Sequence, residues 1–177
     1  MKKEIDDTKD IIMLGDSIIE WFRRAKYKNF GHAGYTTRDV LWYLEDYTFI
    51  TGEIVILMIG VNDLLCDFKS ELSEKYYNEI LRILDKKFNK ILLIKLLPTN
   101  SVLINGGIIK FNKFIDKISQ GNNKIYILDI YNNFLNKEKN IIDDLYTTDG
   151  IHLSNKGYEE FIKLLEDKIN YIKINNI

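Results

Sequence analysis

Four apolar runs punctuate the chain: Ile11-Ile12-Met13-Leu14, Ile54 through Ile59, Ile91 through Ile94, and Ile125 through Leu128. Each is continuous rather than alternating. The first two stop at Gly15 and Gly60, and the third ends near Pro98. Short unbroken runs of this kind predict strands covered on both faces, as in a parallel sheet. A further short strand is expected near Tyr27 to Phe30. Between the runs the apolar period changes. Val40, Tyr43, Leu44 and Tyr47 form one helical stripe, and Tyr77, Ile80, Leu81, Leu84 and Phe88 form another. Phe111, Phe114, Ile115 and Ile118 make a shorter one, and Tyr158, Phe161, Ile162, Leu165 and Ile169 a longer one near the C-terminus. Spacings of three and four mark the buried face of a helix. Thr36 and Asp39 give the first of these helices an N-cap and a first-turn acid. The stretch from Asn132 to Thr148 is polar and poorly periodic, so it reads as an irregular loop with room for one short helix. Trp21 and Trp42 are expected in the core.

Strand and helix alternate, and right-handed crossovers then give an α/β fold with helices on both faces of a parallel sheet. No repeat, low-complexity linker or composition break divides the chain, so one domain is expected over residues 1–177. Ligands bind such sheets beyond the carboxyl ends of the strands. The residues that follow each strand therefore carry the chemistry.

Four short strings stand at those positions. Gly15-Asp16-Ser17 follows the first run, Gly31-His32-Ala33-Gly34 the short strand, and Gly60-Val61-Asn62-Asp63 the second run; Asp149-Gly150-Ile151-His152 comes after the last loop. Each has an ordinary structural use. Serine before a helix is most often an N-cap, glycine supplies a positive φ, asparagine forms turns, and Asp149 with Ser154 could cap the last helix. Together they also hold a hydroxyl nucleophile, a backbone amide, a side-chain amide and an Asp/His pair, which is the equipment of acyl transfer with an oxyanion hole. A hydroxyl at a helix N-terminus gains from the helix dipole. Asp16 is read as fixing the turn through backbone bonds and Asp63 as a loop anchor. Gly34 is the favoured amide donor and Gly31 the weaker one, and His32 is read as a loop histidine. Three-residue spacing lets Asp149 orient His152. Four such strings, in order and at one end of the sheet, set this chain apart from one that carries any of them singly.

Composition excludes more than it assigns. The chain has 177 residues, 46% apolar and 29% charged, with a net charge of −1. Nothing in that balance attracts nucleic acid or an anionic membrane. The single Cys66 rules out an internal disulfide or a cysteine zinc site. The charged start, Met1 to Asp7, does not resemble a signal peptide, and no run is long enough to span a bilayer. A cytoplasmic protein is expected, with no stable membrane insertion.

The motif set resembles the SGNH, or GDSL-type, hydrolase family through Gly15-Asp16-Ser17-Ile18, Gly34, Gly60-Val61-Asn62-Asp63 and Asp149-Gly150-Ile151-His152. Ile18 replaces the leucine of the family name. The resemblance implies a flavodoxin-like three-layer α/β/α sandwich with five parallel strands in the order 2-1-3-4-5. It implies Ser17 as nucleophile, His152 as base and Asp149 as its orienter. Ser17, Gly34 and Asn62 would form the oxyanion hole, with no metal or organic cofactor. The stretch Asn29 through Trp42 is similar to the intracellular platelet-activating-factor acetylhydrolase catalytic subunits, which points to short acyl groups. Short loops leave little chain for a lid or acyl tunnel. The expectation is a serine esterase acting on a small acetylated sugar or lipid. A thioesterase or acyltransferase would use the same site, and a flavodoxin-like binding module for a phosphorylated ligand is the rival from another class.

Overall fold

The computed structural model describes residues 11–23 and 26–174; the charged start of the chain lies outside them. Five parallel strands, β1 (Ile11–Gly15), β2 (Lys28–Gly31), β3 (Gly52–Met58), β4 (Phe88–Ile94) and β5 (Ile125–Leu128), form one sheet in the order β2-β1-β3-β4-β5. Six helices accompany them: α1 (Ser17–Glu20), α2 (Thr37–Asp46), α3 (Val61–Leu65), α4 (Ser70–Lys87), α5 (Val102–Ser119) and α6 (Asn155–Ile174). In register, Gly15 stands opposite both Gly31 and Met58. The carboxyl ends of the first three strands are therefore level along one edge.

Alternation along each strand divides the core in two. Ile11, Met13, Ile54 and Ile56 pack with Ile18 and Ile19 of α1 and with Phe161 and Leu165 of α6. Ile12, Leu14, Val55 and Leu57 pack on the opposite face with α2, α4 and α5, through residues such as Leu44, Tyr77 and Ile115. Both faces are covered, which is why the strand sequences are unbroken apolar runs. Each buried side chain of this size contributes roughly 2 kcal/mol. The result is the three-layer α/β/α sandwich expected. Among the described residues, no helix is long and apolar enough to cross a membrane.

Four details differ from the sequence pattern. Phe88 opens β4 rather than closing α4, because the helix ends at Lys87 and runs straight into the strand. Phe88 still packs in the core of that helix, which is why it fits the helical spacing. Helix α5 begins well before Phe111; its first residues Val102 and Leu103 are 86% and 89% exposed, so they add no buried stripe. The polar loop after β5 holds two 3-10 turns, Tyr131–Phe134 and Asp143–Leu145, rather than one helix. Trp21 and Trp42 are 41% and 54% exposed rather than core residues, because Ile18 and Ile19 of α1, and Val40, Leu41 and Leu44 of α2, already fill the buried faces.

Candidate active site

The turn from β1 into α1 is crowded. A Cβ on Gly15 would lie 2.2 Å from the Met58 carbonyl oxygen and 2.5 Å from Ile19 Cγ1, so only glycine fits. Asp16, not Ser17, caps α1: its Oδ1 accepts from the Ile18 N–H at 3.0 Å. Ser17 thus becomes the first helical residue, and its own N–H has no acceptor within the helix.

The end of β2 separates the two candidate glycines. The Gly31 N–H donates to Asn29 Oδ1 at 2.8 Å, and a Cβ there would lie 2.3 Å from the Glu20 nitrogen. Gly31 is a packing residue between β2 and α1. Gly34 has φ +79° and nothing within 4 Å of a Cβ. The His32 ring packs on Tyr35 and Tyr43, with centroids 4.6 and 5.1 Å away, and its buried Nε2 has no hydrogen-bond partner. It contributes to the loop, not to the cluster around Ser17.

Beyond β3, Asn62 Nδ2 donates to the Tyr35 carbonyl at 2.9 Å. Asp63 is 1% exposed and accepts from the Thr37 N–H at 2.9 Å and its hydroxyl at 2.5 Å. Asp63 therefore ties α3 to the start of α2, as an anchor would. Asp39 accepts from both the N–H and the hydroxyl of Thr36 and closes that helix start.

The last string folds around its own carboxylate. Asp149 Oδ1 accepts from Ile151 N–H at 2.8 Å, His152 N–H at 2.9 Å and the Thr147 hydroxyl at 2.9 Å. Ser154, not Asp149, caps α6, its Oγ accepting from Gly157 N–H at 3.1 Å. The β4–α5 connection braces this loop: Asn100 N–H donates to the Gly150 carbonyl at 3.0 Å, and the Tyr146 hydroxyl to the Pro98 carbonyl at 2.8 Å.

These elements bring Ser17 and His152, 135 positions apart, to an Oγ–Nε2 distance of 2.8 Å. On the far side of the ring, His152 Nδ1 lies 2.6 Å from Asp149 Oδ2. Burial acts to raise the Asp149 pKa, but hydrogen bonds from the His152 ring and backbone, Ile151 and Thr147 outweigh it and hold the carboxyl below its ordinary range. An ionised carboxylate only accepts, so Nδ1 carries the ring proton and Nε2 is left to accept from the Ser17 hydroxyl. Such a chain can draw a proton off Ser17.

Ser17, Asn62 and His152 line one cavity of about 60 Å³, walled mainly by Met58, Val61, Leu65, Leu96 and Leu97. Asp16, Gly34, Asp63 and Asp149 do not line it: Asp149 stands behind the imidazole, Asp16 beneath the turn, and Gly34 beside the Tyr35 carbonyl that holds Asn62. Among the described residues, no group of three or more His, Cys, Asp or Glu side chains could hold a metal ion. Three contributors lie outside the four strings. Thr147 steadies Asp149, Asn100 braces the loop, and Trp21 lies against the His152 ring. Only Trp21 left a signal, standing one helical turn after Ser17.

Known proteins share this fold. A lipase/acylhydrolase from Enterococcus faecalis superposes with a TM-score of 0.73 at 22% identity, over 91% of this chain and 95% of that one. A GDSL-like lipase from Bacteroides thetaiotaomicron reaches 0.81 at 19% identity, over 97% and 93%. A Streptococcus pneumoniae protein provisionally assigned as a platelet activating factor reaches 0.80 at 24% identity, over 90% and 83%. At these identities the likeness is one of fold. An N-acylneuraminate cytidylyltransferase of Streptococcus agalactiae serotype V is 28% identical over 148 residues, 82% of this chain and 35% of its own length. The chain thus spans about a third of the curated relatives it matches. The profile of the GDSL-like lipase/acylhydrolase family matches residues 13–160, from within β1 into α6, and the chain belongs to that family of hydrolases.

Proposed function

We propose that this hydrolase is a serine esterase that removes acetyl or similarly short acyl groups from an alcohol, the alcohol being a sugar. The observation that carries the reading is the unbroken hydrogen-bond chain from Ser17 through His152 to Asp149, opening on a small apolar cavity. Ser17 Oγ attacks the ester carbonyl while His152 Nε2 takes its proton. The oxyanion is met by the Ser17 and Gly34 N–H groups and by the Asn62 amide hydrogen not engaged with Tyr35. Each such donor is worth about 3 kcal/mol. As the C–O bond breaks, His152 returns the proton to the departing alcohol. Water then repeats the sequence on the acyl-enzyme and releases the acid. Asp149 steadies the imidazolium throughout. No step calls for a metal or organic cofactor.

The cavity volume supports a short acyl group. A sugar is favoured over a lipid by the name of the curated relatives, larger proteins described as acting on an N-acylneuraminate. Ser17→Ala is the test, assayed on p-nitrophenyl acetate and on an O-acetylated monosaccharide, with acetyl-CoA as the thioester comparison. Turnover should fall at least about a thousandfold while circular dichroism stays unchanged. Undiminished turnover would overturn the mechanism, and faster turnover of acetyl-CoA than of the sugar ester would replace the substrate class.

A further inference from the structure

We propose that Trp21 is a positioning residue for this reaction: its indole covers one face of the His152 ring and stabilises the imidazolium formed as Ser17 gives up its proton. The inference rests on the base role assigned above to His152. The ring centroids are 4.4 Å apart with the planes inclined at 35°. His152 is held at both nitrogens, by Ser17 and by Asp149. Those bonds fix the ring in its own plane, and Trp21 limits its tilt.

The placement is local and stiff. Trp21 ends α1, and its N–H donates to the Ser17 carbonyl at 3.0 Å, so nucleophile and indole ride on the same turn. That turn is anchored by Ile18 and Ile19, 3% and 0% exposed. The indole itself is 41% exposed and adds little to the core. A cation within about 6 Å of an indole centroid is attracted by the ring quadrupole, by more than the neutral ring would be. Stabilisation therefore grows as His152 becomes charged, which is what an element of transition-state binding must do.

Other groups act on the imidazole. Asp149 faces it from its own loop, and Ser17 from α1; Asp16, buried under the β1–α1 turn, acts through its charge. Arg23 after α1, and Tyr158 and Glu159 of α6, share the groove on the Trp21 side. A change at Trp21 alone leaves all of these groups in the chain.

The first experiment is the pH profile of kcat/KM for p-nitrophenyl acetate in Trp21→Leu and Trp21→Phe. In Trp21→Leu the acid limb should move to lower pH by about half a unit, with kcat several-fold lower and KM little changed. Trp21→Phe should recover part of both. The second uses the native indole. In Trp42→Phe, Trp21 is the sole tryptophan, and an imidazolium quenches indole emission more than a neutral imidazole does. Emission should fall on acidification with a midpoint on the acid limb, and His152→Gln should abolish that step. An unshifted limb in folded Trp21→Leu, or emission that does not titrate, would overturn the proposal. Failure of the esterase reading itself would appear separately, as activity surviving Ser17→Ala.

Discussion

A carboxyl group shut off from water stands next to Ser17. Asp16 is 0% exposed; Oδ1 caps α1 and Oδ2 has no hydrogen-bond partner. Burial pushes its pKa up to about 7, with the nearby Asp63 charge adding to the rise and the Ile18 N–H and His152 opposing it. In the unfolded chain the same group ionises near its ordinary value of 3.8. Between those values the folded protein holds the extra proton, so stability falls as pH rises through the window and stays reduced above it. The full span corresponds to a penalty of about 4 kcal/mol. Asp16→Asn keeps the capping oxygen and cannot ionise. It should melt at a higher temperature than the wild type at pH 8, with the advantage shrinking to nothing near pH 4. Calorimetry at both pH values checks this, and an advantage independent of pH would contradict it. The local turn role of Asp16 was legible from its place before a helix. Its complete burial was not, because the covering residues come from distant parts of the chain.

At the level of elements, two neighbouring glycines do different work. An alanine at Gly31 would drive its Cβ into the backbone of α1, 2.3 Å from Glu20 nitrogen and 2.7 Å from the Ile19 carbonyl carbon. Backbone cannot yield as a flexible side chain does, so β2 and the helix carrying Ser17 must separate. Gly31→Ala should lose about 1–3 kcal/mol of stability and most of its turnover. At Gly34 there is space but a φ of +79°, so Gly34→Ala should lose about 1 kcal/mol while turnover falls disproportionately as the amide is displaced. Denaturant midpoints measured beside kcat separate the two, and equal stability losses would remove the distinction. The strings named both glycines and favoured Gly34, but spacing carries no record of which amide Asn29 has already taken. The same limit explains Phe88 and the start of α5. Periodicity reports which residues are apolar, not which of them find a partner.

Across the whole molecule, the site is assembled by the level edge of the sheet. β1 contributes the Ser17 turn, β3 leads to Asn62, and β4 runs into Leu96, Leu97 and Thr99; the long loop after β5 returns His152 to meet them. That convergence was legible because strand ends in a parallel sheet gather at one edge whatever their separation in sequence. The bonds from Asn100 to Gly150 and from Tyr146 to Pro98 were not, nor was the size of the cavity beside Ser17. That size makes the last prediction. A cavity of about 60 Å³ backed by Met58, Leu96 and Leu97, none more than 5% exposed, has a floor that cannot retreat without disturbing the core. Across p-nitrophenyl acetate, butyrate and octanoate, kcat/KM should therefore be greatest for acetate and fall steeply beyond butyrate. Leu97→Ala removes part of the floor. It should destabilise the fold by about 2–5 kcal/mol yet raise the butyrate-to-acetate ratio, because the lost leucine volume becomes acyl volume beside Ser17. A ratio that stays fixed while stability falls would mean that the acyl chain lies outside this cavity.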